Sequence, residues 1–219
     1  MANYKCLVLD HDDTVVQSAK TVNYPSYVES LHILRPGMSL SYEEFTVGLF
    51  RDDFEHFCST AFGYTRQELD WHFNFWKRYV RTHKPPVYAG IPELLQRFRK
   101  EGGIICMASY SAVENISRDF KDNIGFLPDR IYSADLPPEK RKPNPFPLQD
   151  IMEYYHLEPQ QLLMVDDMKG GLDMANRCGV PFACAGWSHD VQEVADFMRK
   201  QSPVYLKTVD DFSRLVFGD

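Results

Sequence analysis

The chain has 219 residues, of which 44% are hydrophobic and 25% charged, and its formal net charge is -7. These values are typical of one globular domain, or of a core with a modest insert. The negative charge argues against a nucleic-acid-binding protein that works by neutralising phosphates, whereas an anionic substrate stays compatible because a bound cation reverses the local charge.

The N-terminal strand is the first predicted element. The apolar run at residues 6–9 is too short for the core of a signal peptide, and no run approaches the roughly 20 apolar residues of a membrane span. The five cysteines include no CxxC pair. We therefore expect a cytoplasmic protein with reduced cysteines, which binds neither membrane nor nucleic acid.

Residues 17–87 differ from the rest of the chain because they lack strand signals and are rich in aromatic residues. Residues 65–80 suit a long helix with Leu69, Phe73, Trp76 and Val80 on one face. We predict a helical insert over 17–87, which divides a core made of residues 1–16 and 88–219.

From residue 88 onward, short apolar runs alternate with amphipathic segments. Strands are predicted at 104–108, 130–134, 162–165 and 182–185, and helices at 90–103, 111–120, 145–155, 172–178 and 191–200. This alternation predicts the α/β class: a Rossmann-like, three-layer core with a parallel sheet between two layers of helices.

Acidic residues follow two of the predicted strands. Asp10 and Asp12 come after the first strand, and Asp166 and Asp167 follow the run at 162–165. Each group alone also suits a turn or a helix cap. Together they would repel one another at the carboxyl edge of the sheet, at a cost of roughly 4 kcal/mol for each pair about 4 Å apart, unless a cation binds. Oxygen ligands with no adjacent His or Cys pair favour Mg²⁺ over zinc.

Two further positions suit an anion. Ser109 follows the strand at 104–108 and precedes a helix, so its hydroxyl and the next N–H groups can bind an anion, although a plain helix cap is the simpler interpretation. Lys142 lies in the sequence KPNP, where prolines fix the position of its charge. A solvated basic loop is the alternative for Lys142.

The order of these motifs resembles that of the haloacid dehalogenase-like hydrolases. DHDDT, a serine after a strand, KPNP and VDD followed by MKGGLDMANRCGV are similar to the four signature motifs of that superfamily, and they span the predicted core. The helical insert resembles the C1-type cap found in the phosphoglycolate phosphatase and β-phosphoglucomutase branch. The resemblance implies a Mg²⁺-dependent phosphatase that acts on a small phosphorylated metabolite.

The resemblance also implies roles for the matching residues. Asp10 would be the nucleophile, and Asp12 would be the general acid and base, with its backbone carbonyl as a metal ligand. Asp167 would bind Mg²⁺ directly and Asp166 would support it, so that the implied metal site is Asp10, Asp12, Asp166 and Asp167. Thr14 would brace the loop after the first strand.

Ser109, Tyr110 and Lys142 are the implied phosphate-binding residues. The chain departs from the family pattern at two points. Tyr110 stands where many relatives carry Asn, and Gly171 stands where one motif variant has another acid, whereas Asp13 in place of Gly is a familiar variant.

Residues of the insert would select the substrate in this family. The candidates are Arg51, His72, Lys77 and Arg78, for each of which a solvated helix face is the alternative. His11 lies beside the acids in the sequence, and we expect it to have a structural role.

Three other functions remain open beside hydrolysis of a metabolite. A phosphosugar mutase uses the same scaffold. A phosphoaccepting signalling module combines similar residues, but in another order and without an insert. A catalytically silent regulator would have no need of intact motifs. The sequence names neither the substrate nor the oligomeric state.

Overall fold

The computed structural model describes residues 2–218 and contains one six-stranded parallel sheet. The strands are β1 (Cys6–Leu9), β2 (Ile104–Ala108), β3 (Arg130–Tyr132), β4 (Leu162–Asp166), β5 (Phe182–Ala185) and β6 (Tyr205–Leu206). Their spatial order is β3-β2-β1-β4-β5-β6, so the chain reverses its direction of travel across the sheet beside β1. Ligands of such sheets bind beyond the carboxyl ends of the strands at this reversal point.

The central strands are buried on both faces. Leu7 and Leu9 of β1 belong to one apolar cluster, whereas Cys6 and Val8 belong to a second cluster on the opposite face. All four side chains are fully buried. Successive residues of a strand point to opposite faces, so an unbroken apolar run is what a sheet covered on both sides requires.

A helical segment, residues 19–82, follows β1 and precedes the rest of the sheet. After a π-helical turn at Ala19–Asn23 it contains α1 (Tyr24–Leu34), α2 (Tyr42–Arg51), α3 (Phe54–Phe62) and α4 (Arg66–Thr82). Capping boxes begin α2 (Ser41 with Glu44) and α4 (Thr65 with Glu68), and they satisfy free N–H groups at the helix starts. The segment has an aromatic-rich apolar cluster of its own, which includes Tyr27, Phe45 and Phe62.

The buried face of α4 differs from the predicted one. The prediction that Phe73 lies on the buried face is wrong, since this side chain is 47% exposed, whereas Leu69, His72 and Val80 are buried. His72 lies on the buried face because its imidazole has a hydrogen-bond partner there: Ser30 Oγ lies 2.7 Å from His72 Nδ1. A buried polar ring is tolerated when it is hydrogen-bonded.

Two layers of helices cover the sheet. They are α5 (Ile91–Lys100), α6 (Val113–Asn123), α7 (Phe146–Tyr155), α8 (Lys169–Cys178), α9 (Gln192–Gln201) and α10 (Val209–Phe217). Residues of α5, α6 and α10 join the apolar cluster of Leu7 and Leu9, and residues of α7, α8 and α9 join that of Cys6 and Val8. The three-layer α/β prediction is thus confirmed, and the structure adds β6 and α10, which the sequence had not predicted.

The segment and the core meet at several points. The two connections run side by side, with Gln17 N–H donating to Pro86 O at 2.8 Å and Tyr88 N–H donating to Val15 O at 3.0 Å. At the opposite side, Phe50 of α2 packs edge-on against Phe197 of α9, with ring centroids 5.1 Å apart.

The cysteines are free thiols, four of them buried. Within residues 2–218, no helix combines the length and the apolar character that crossing a membrane would need.

Candidate active site

The carboxyl ends of β1 and β4 bring the two acid groups together. Leu9 of β1 is paired in register with Val165 of β4, and Asp10 N–H donates to Val165 O at 2.9 Å. Asp10 therefore leaves the sheet beside Asp166, the last residue of β4. Asp10 is 5% exposed and Asp166 is fully buried.

Lys142 lies between these two carboxylates. Its Nζ donates to Asp166 Oδ2 at 2.6 Å and lies 2.9 Å from Asp10 Oδ1, and the lysine is almost completely buried. Burial by itself would lower the pKa of Lys142, but the charges of Asp10 and Asp166 outweigh burial and raise the pKa. Lys142 is therefore a fixed positive charge at the edge of the sheet.

Three carboxylates form a group that can hold a metal ion. Asp10, Asp166 and Asp167 each offer one oxygen, and these oxygens lie within 4.8 Å of one another. Burial raises the pKa of Asp166 to about 7, and burial together with the charge of Asp166 raises the pKa of Asp167 well above its ordinary value. Asp10 Oδ1 is buried and lies 2.9 Å from Lys142 Nζ. A divalent cation fits this group, because it would neutralise the crowded charges of three buried carboxylates.

Gly171 in α8 is required by the packing against Asp166. A Cβ atom at position 171 would lie 2.7 Å from Cγ of Asp166, and closer still to its Cβ and Oδ2. A third acid at this position would therefore clash with the second. Asp166 thus fills the space that a side chain at position 171 would need, so this chain combines the acid pair with a glycine at 171.

The loop after β1 is held by Asp13 and by backbone hydrogen bonds. Asp13 has φ +53°, a left-handed conformation that Asp tolerates better than most residues, and its Oδ1 accepts from Ala19 N–H at 3.1 Å. Gly adopts the same conformation without strain. Thr14 Oγ1 is buried and, among residues 2–218, has no hydrogen-bond partner.

Asp12 lies beside a buried histidine. Its side chain is 29% exposed and borders the cavity described below, and its Oδ1 lies 3.9 Å from His11 Nδ1. On the other side of the ring, His11 Nε2 lies 3.2 Å from Asp119 Oδ2. Burial raises the pKa of Asp119, but contacts with His11 and Arg118 outweigh burial, so the net pKa is lowered. His11 thus connects Asp12 to a buried ion pair of α6.

Ser109 and Tyr110 follow β2, which is the strand next to β1 on the side away from β4. Ser109 is buried, and its Oγ accepts from Ser111 N–H at 3.0 Å, which leaves its hydroxyl hydrogen free to donate. Tyr110 is 52% exposed, and its ring centroid lies 5.1 Å from Lys142 Nζ. Tyr110 borders the cavity, whereas Ser109 does not.

A cavity of about 890 Å³ opens between this edge of the sheet and the helical segment. Asp10, Asp12, Lys142 and Asp167 border it on the core side. Its volume is within the usual range for small-molecule sites, roughly 300–1,000 Å³. The residues singled out for phosphate and metal, except Ser109 and Asp166, therefore open onto a space that can hold a small substrate.

The four candidate selector residues of the helical segment have different surroundings. Arg51 and His72 border the cavity, but Lys77 and Arg78 do not. Arg51 is bound to Glu193 of α9 by two hydrogen bonds of 2.7 and 2.6 Å. Lys77 Nζ lies 4.5 Å from the ring centroid of Phe73.

The family model for haloacid dehalogenase-like hydrolases matches residues 4–179. The chain belongs to this family. No curated protein sequence matches this hydrolase.

Solved structures with the same fold include a protein from Haemophilus somnus 129PT described as a predicted phosphoglycolate phosphatase, with 18% identity, a TM-score of 0.69, and 92% of this hydrolase and 100% of that chain covered. A variant of CbbY from Rhodobacter sphaeroides in complex with xylulose-1,5-bisphosphate has 14% identity, a TM-score of 0.72 and 94% coverage of each chain. A protein from Bacteroides vulgatus, provisionally named a β-phosphoglucomutase, has 18% identity, a TM-score of 0.66, and 97% and 87% coverage.

His189 is a residue near the site of this hydrolase that the sequence did not single out. Its ring lies between Asp167 and β6, with Nε2 2.7 Å from Asp167 O and Nδ1 3.0 Å from Tyr205 Oη. Burial lowers the pKa of His189. A lone histidine after β5 gives no sequence signal, because its partners are distant in the chain.

Proposed function

We propose that this hydrolase cleaves a phosphate monoester of a small metabolite through an aspartyl-phosphate on Asp10. The observation that carries the proposal is the position of Lys142 Nζ, 2.9 Å from Asp10 Oδ1 and 2.6 Å from Asp166 Oδ2, at the border of a cavity that can hold a substrate. A phosphate dianion approaching Asp10 meets like-charge repulsion, which a fixed cation offsets.

Asp10 would act as the nucleophile in the first step. A carboxylate oxygen of Asp10 forms a bond to phosphorus while the bond from phosphorus to the organic oxygen breaks. Asp12 gives its proton to that leaving oxygen. In the second step Asp12 takes a proton from water, the water oxygen bonds to phosphorus, and Asp10 and inorganic phosphate are released. Covalent catalysis thus divides one difficult displacement into two easier ones.

Mg²⁺ would be held by Asp10, Asp166 and Asp167, with the backbone carbonyl of Asp12 as a further ligand. The support for this is a set of three buried carboxylate oxygens within 4.8 Å. When bound, the ion would neutralise charge on the phosphoryl oxygens. Asp166 also accepts from Met168 N–H at 2.8 Å, which fixes its orientation.

Ser109, Tyr110 and Lys142 would hold the phosphoryl oxygens. The free hydroxyl hydrogen of Ser109 and the ammonium of Lys142 are donors, and Tyr110 borders the same space. Thr14 would brace the loop after β1 through packing, since its buried hydroxyl has no hydrogen-bond partner within residues 2–218.

Residues 17–87 would form a cap over the core made of 1–16 and 88–219. The helical segment has an apolar cluster of its own, and its two connections to the core pair near Val16 and Val87, while Phe50 of α2 joins a cluster of the sheet. A cap of this kind excludes water and selects the substrate.

The test is Mg²⁺-dependent hydrolysis of an aryl phosphate by the purified protein. We expect EDTA to abolish turnover, and Asp10→Asn to lower kcat by at least about 10³-fold with an unchanged circular dichroism spectrum. Asp173→Asn makes the same chemical change at the rim of the cavity and should alter kcat less than about twofold. Near-normal kcat in Asp10→Asn would show that the nucleophile is wrong.

A phosphosugar mutase is the second candidate, because the fold is shared with a protein provisionally named a β-phosphoglucomutase. A mutase must retain and reorient a bisphosphate. Stimulation of turnover by an added sugar bisphosphate would favour the mutase, and its absence would favour the phosphatase.

A further inference from the structure

The helical side of the cavity is built from rings. Tyr42, Phe45, Phe50, Phe54, Phe73 and Trp76 all border it. Phe73 and Trp76 are stacked, with ring centroids 5.8 Å apart. An apolar wall binds the apolar part of a ligand and offers little to a charged one.

The basic side chains around the cavity are on the core side or are already paired. Arg51, the one arginine or lysine of the described part of the helical segment that borders the cavity, forms two hydrogen bonds with Glu193. Arg141 and Lys169 also border it; they follow the core chain beside Lys142 and Asp167, and Lys169 Nζ lies 4.9 Å from the ring centroid of Phe50. Among the described residues of the helical segment that border the cavity, no arginine or lysine lacks an ion pair.

His72 borders the cavity as a neutral ring. Ser30 Oγ donates to Tyr27 O at 2.8 Å, so it accepts from His72 Nδ1, which must then carry the proton. Burial lowers the pKa of His72 to about 4, and its Nε2 is therefore an acceptor at neutral pH. His72 can accept a hydrogen bond from a hydroxyl or amino group of a substrate but cannot attract an anion.

Acids outnumber bases around the cavity. The helical side contributes Asp52, Asp53 and Glu55, and the core side adds Asp173 and Asp190 beyond the metal-binding group. Of these, Asp52 lies beside His56, Glu55 pairs with Arg66, and Asp190 pairs with Lys20, whereas no ion pair involves Asp53 or Asp173 among residues 2–218. A carboxylate or second phosphate at the distal end of a substrate would be brought close to these charges. This arrangement disfavours doubly anionic substrates.

We propose that the cavity selects phosphate monoesters whose organic group is uncharged and largely apolar, with no second phosphate or carboxylate. The inference rests on the proposed function, because the phosphoryl group must bind at Asp10 and Lys142 for the organic group to reach the wall of rings. It narrows the substrate class and opposes a bisphosphate mutase.

Two matched aryl phosphates test the inference. They are 4-(2-hydroxyethyl)phenyl phosphate and 4-(carboxymethyl)phenyl phosphate, which differ mainly in the distal charge. With Mg²⁺ present, we expect kcat/KM to be at least about tenfold higher for the neutral compound. Equal values, or a preference for the carboxylate, would overturn the inference.

Binding separates this inference from the proposed function. The dissociation constants of both compounds are measured by calorimetry on the Asp10→Asn protein with Mg²⁺. If the wild type hydrolyses neither compound but the neutral one binds about tenfold more tightly, the proposed function fails and the selectivity stands. If both are hydrolysed through Asp10 without a preference in rate or binding, the selectivity fails and the proposed function stands.

Variants of Phe73 test whether the preference for the neutral compound comes from the aromatic wall. Phe73 is 47% exposed, so its replacement should not unfold the protein. Phe73→Arg adds a cation to the wall and should reduce the preference for the neutral compound by at least about fivefold, whereas Phe73→Leu should keep it. If Phe73→Arg leaves the preference unchanged, the selection does not come from this wall and the assignment is wrong.

Discussion

The two sides of the cavity are built from opposite kinds of residues. On the core side, charged groups are buried and fixed at short distances, with Lys142 between Asp10 and Asp166. On the helical side, aromatic rings border the cavity beside Arg51 and three acids, and its histidine, His72, is neutral. The core side is therefore suited to the phosphoryl group, which all substrates share, and the helical side to the organic group, which distinguishes them.

The largest effect that would test this comparison is the loss of the central cation on the core side. We expect Lys142→Met to lower kcat by at least about 10³-fold, because the like charges of Asp10 and the phosphate are then no longer offset. Mg²⁺-dependent turnover of an aryl phosphate is the measurement. Lys140→Met is the matched control, since Lys140 is exposed. A loss of less than tenfold would mean that the core side depends on the metal site alone.

A change at Gly171 tests how tightly the acid group is packed. Gly171→Ala should lower the free energy of unfolding by about 2 kcal/mol, because the new methyl group would overlap with Asp166. Gly170→Ala is the control, since the nearest atom to a Cβ there is 3.6 Å away. Urea denaturation measures both. Equal stability of the two variants would show that α8 moves away from β4 without cost.

The acid group should also make stabilisation by Mg²⁺ depend on pH. The pKa of Asp166 is raised from 3.8 to about 7, and that of Asp167 is raised as well. Above the ordinary value the unfolded chain has lost protons that the folded protein keeps, so rising pH lowers the stability of the ion-free protein through this window. Mg²⁺ binds the ionised carboxylates, and its affinity rises over the same window.

We therefore expect Mg²⁺ to raise Tm more at about pH 8 than at about pH 5.5. Thermal unfolding with and without the ion at both pH values is the measurement. Asp167→Asn should remove most of the difference. An equal increase in Tm at the two pH values would contradict the raised pKa values.

The smallest expected effect concerns the contact between the two sides. The Arg51 and Glu193 side chains are 66% and 42% exposed, and ion pairs this exposed contribute little. Arg51→Gln should raise KM less than about threefold with kcat unchanged, and added salt should have a similar effect on the wild type. The double variant with Glu193→Gln should be no worse than either single variant. A large fall in kcat would instead make Arg51 a substrate ligand.

The core side was predictable because parallel strands end at one edge. Asp10 and Asp166 each follow an unbroken apolar run, so their meeting is a consequence of the strand pattern. The helical side was less predictable. Residues 72 and 73 both suit an inner face of α4 by helical spacing, and the apolar Phe73 was the natural choice. The hydrogen bond with Ser30, 42 positions away in the chain, favours His72 on the buried face.

The role of Arg51 in the helical segment was equally difficult to predict from the sequence. An arginine at the end of an amphipathic helix suits solvent, an ion pair or a substrate, and only the position of Glu193, 142 residues further on, selects among these. The need for glycine at position 171 also could not be predicted from the local sequence pattern. The sequence shows a missing acid, whereas the structure shows that Asp166 occupies the space.

The sequence by itself determined the α/β core, the strand ends from which the acids leave, and the order of motifs that marks the family. These depend on the alternation of apolar runs and amphipathic segments, which is a local property of the chain. The tertiary structure decided the bridging position of Lys142, the neutral state of His72 and the ion pair of Arg51. Each of these depends on partners distant in the chain, because burial and charge at a site are the sum of everything packed around it.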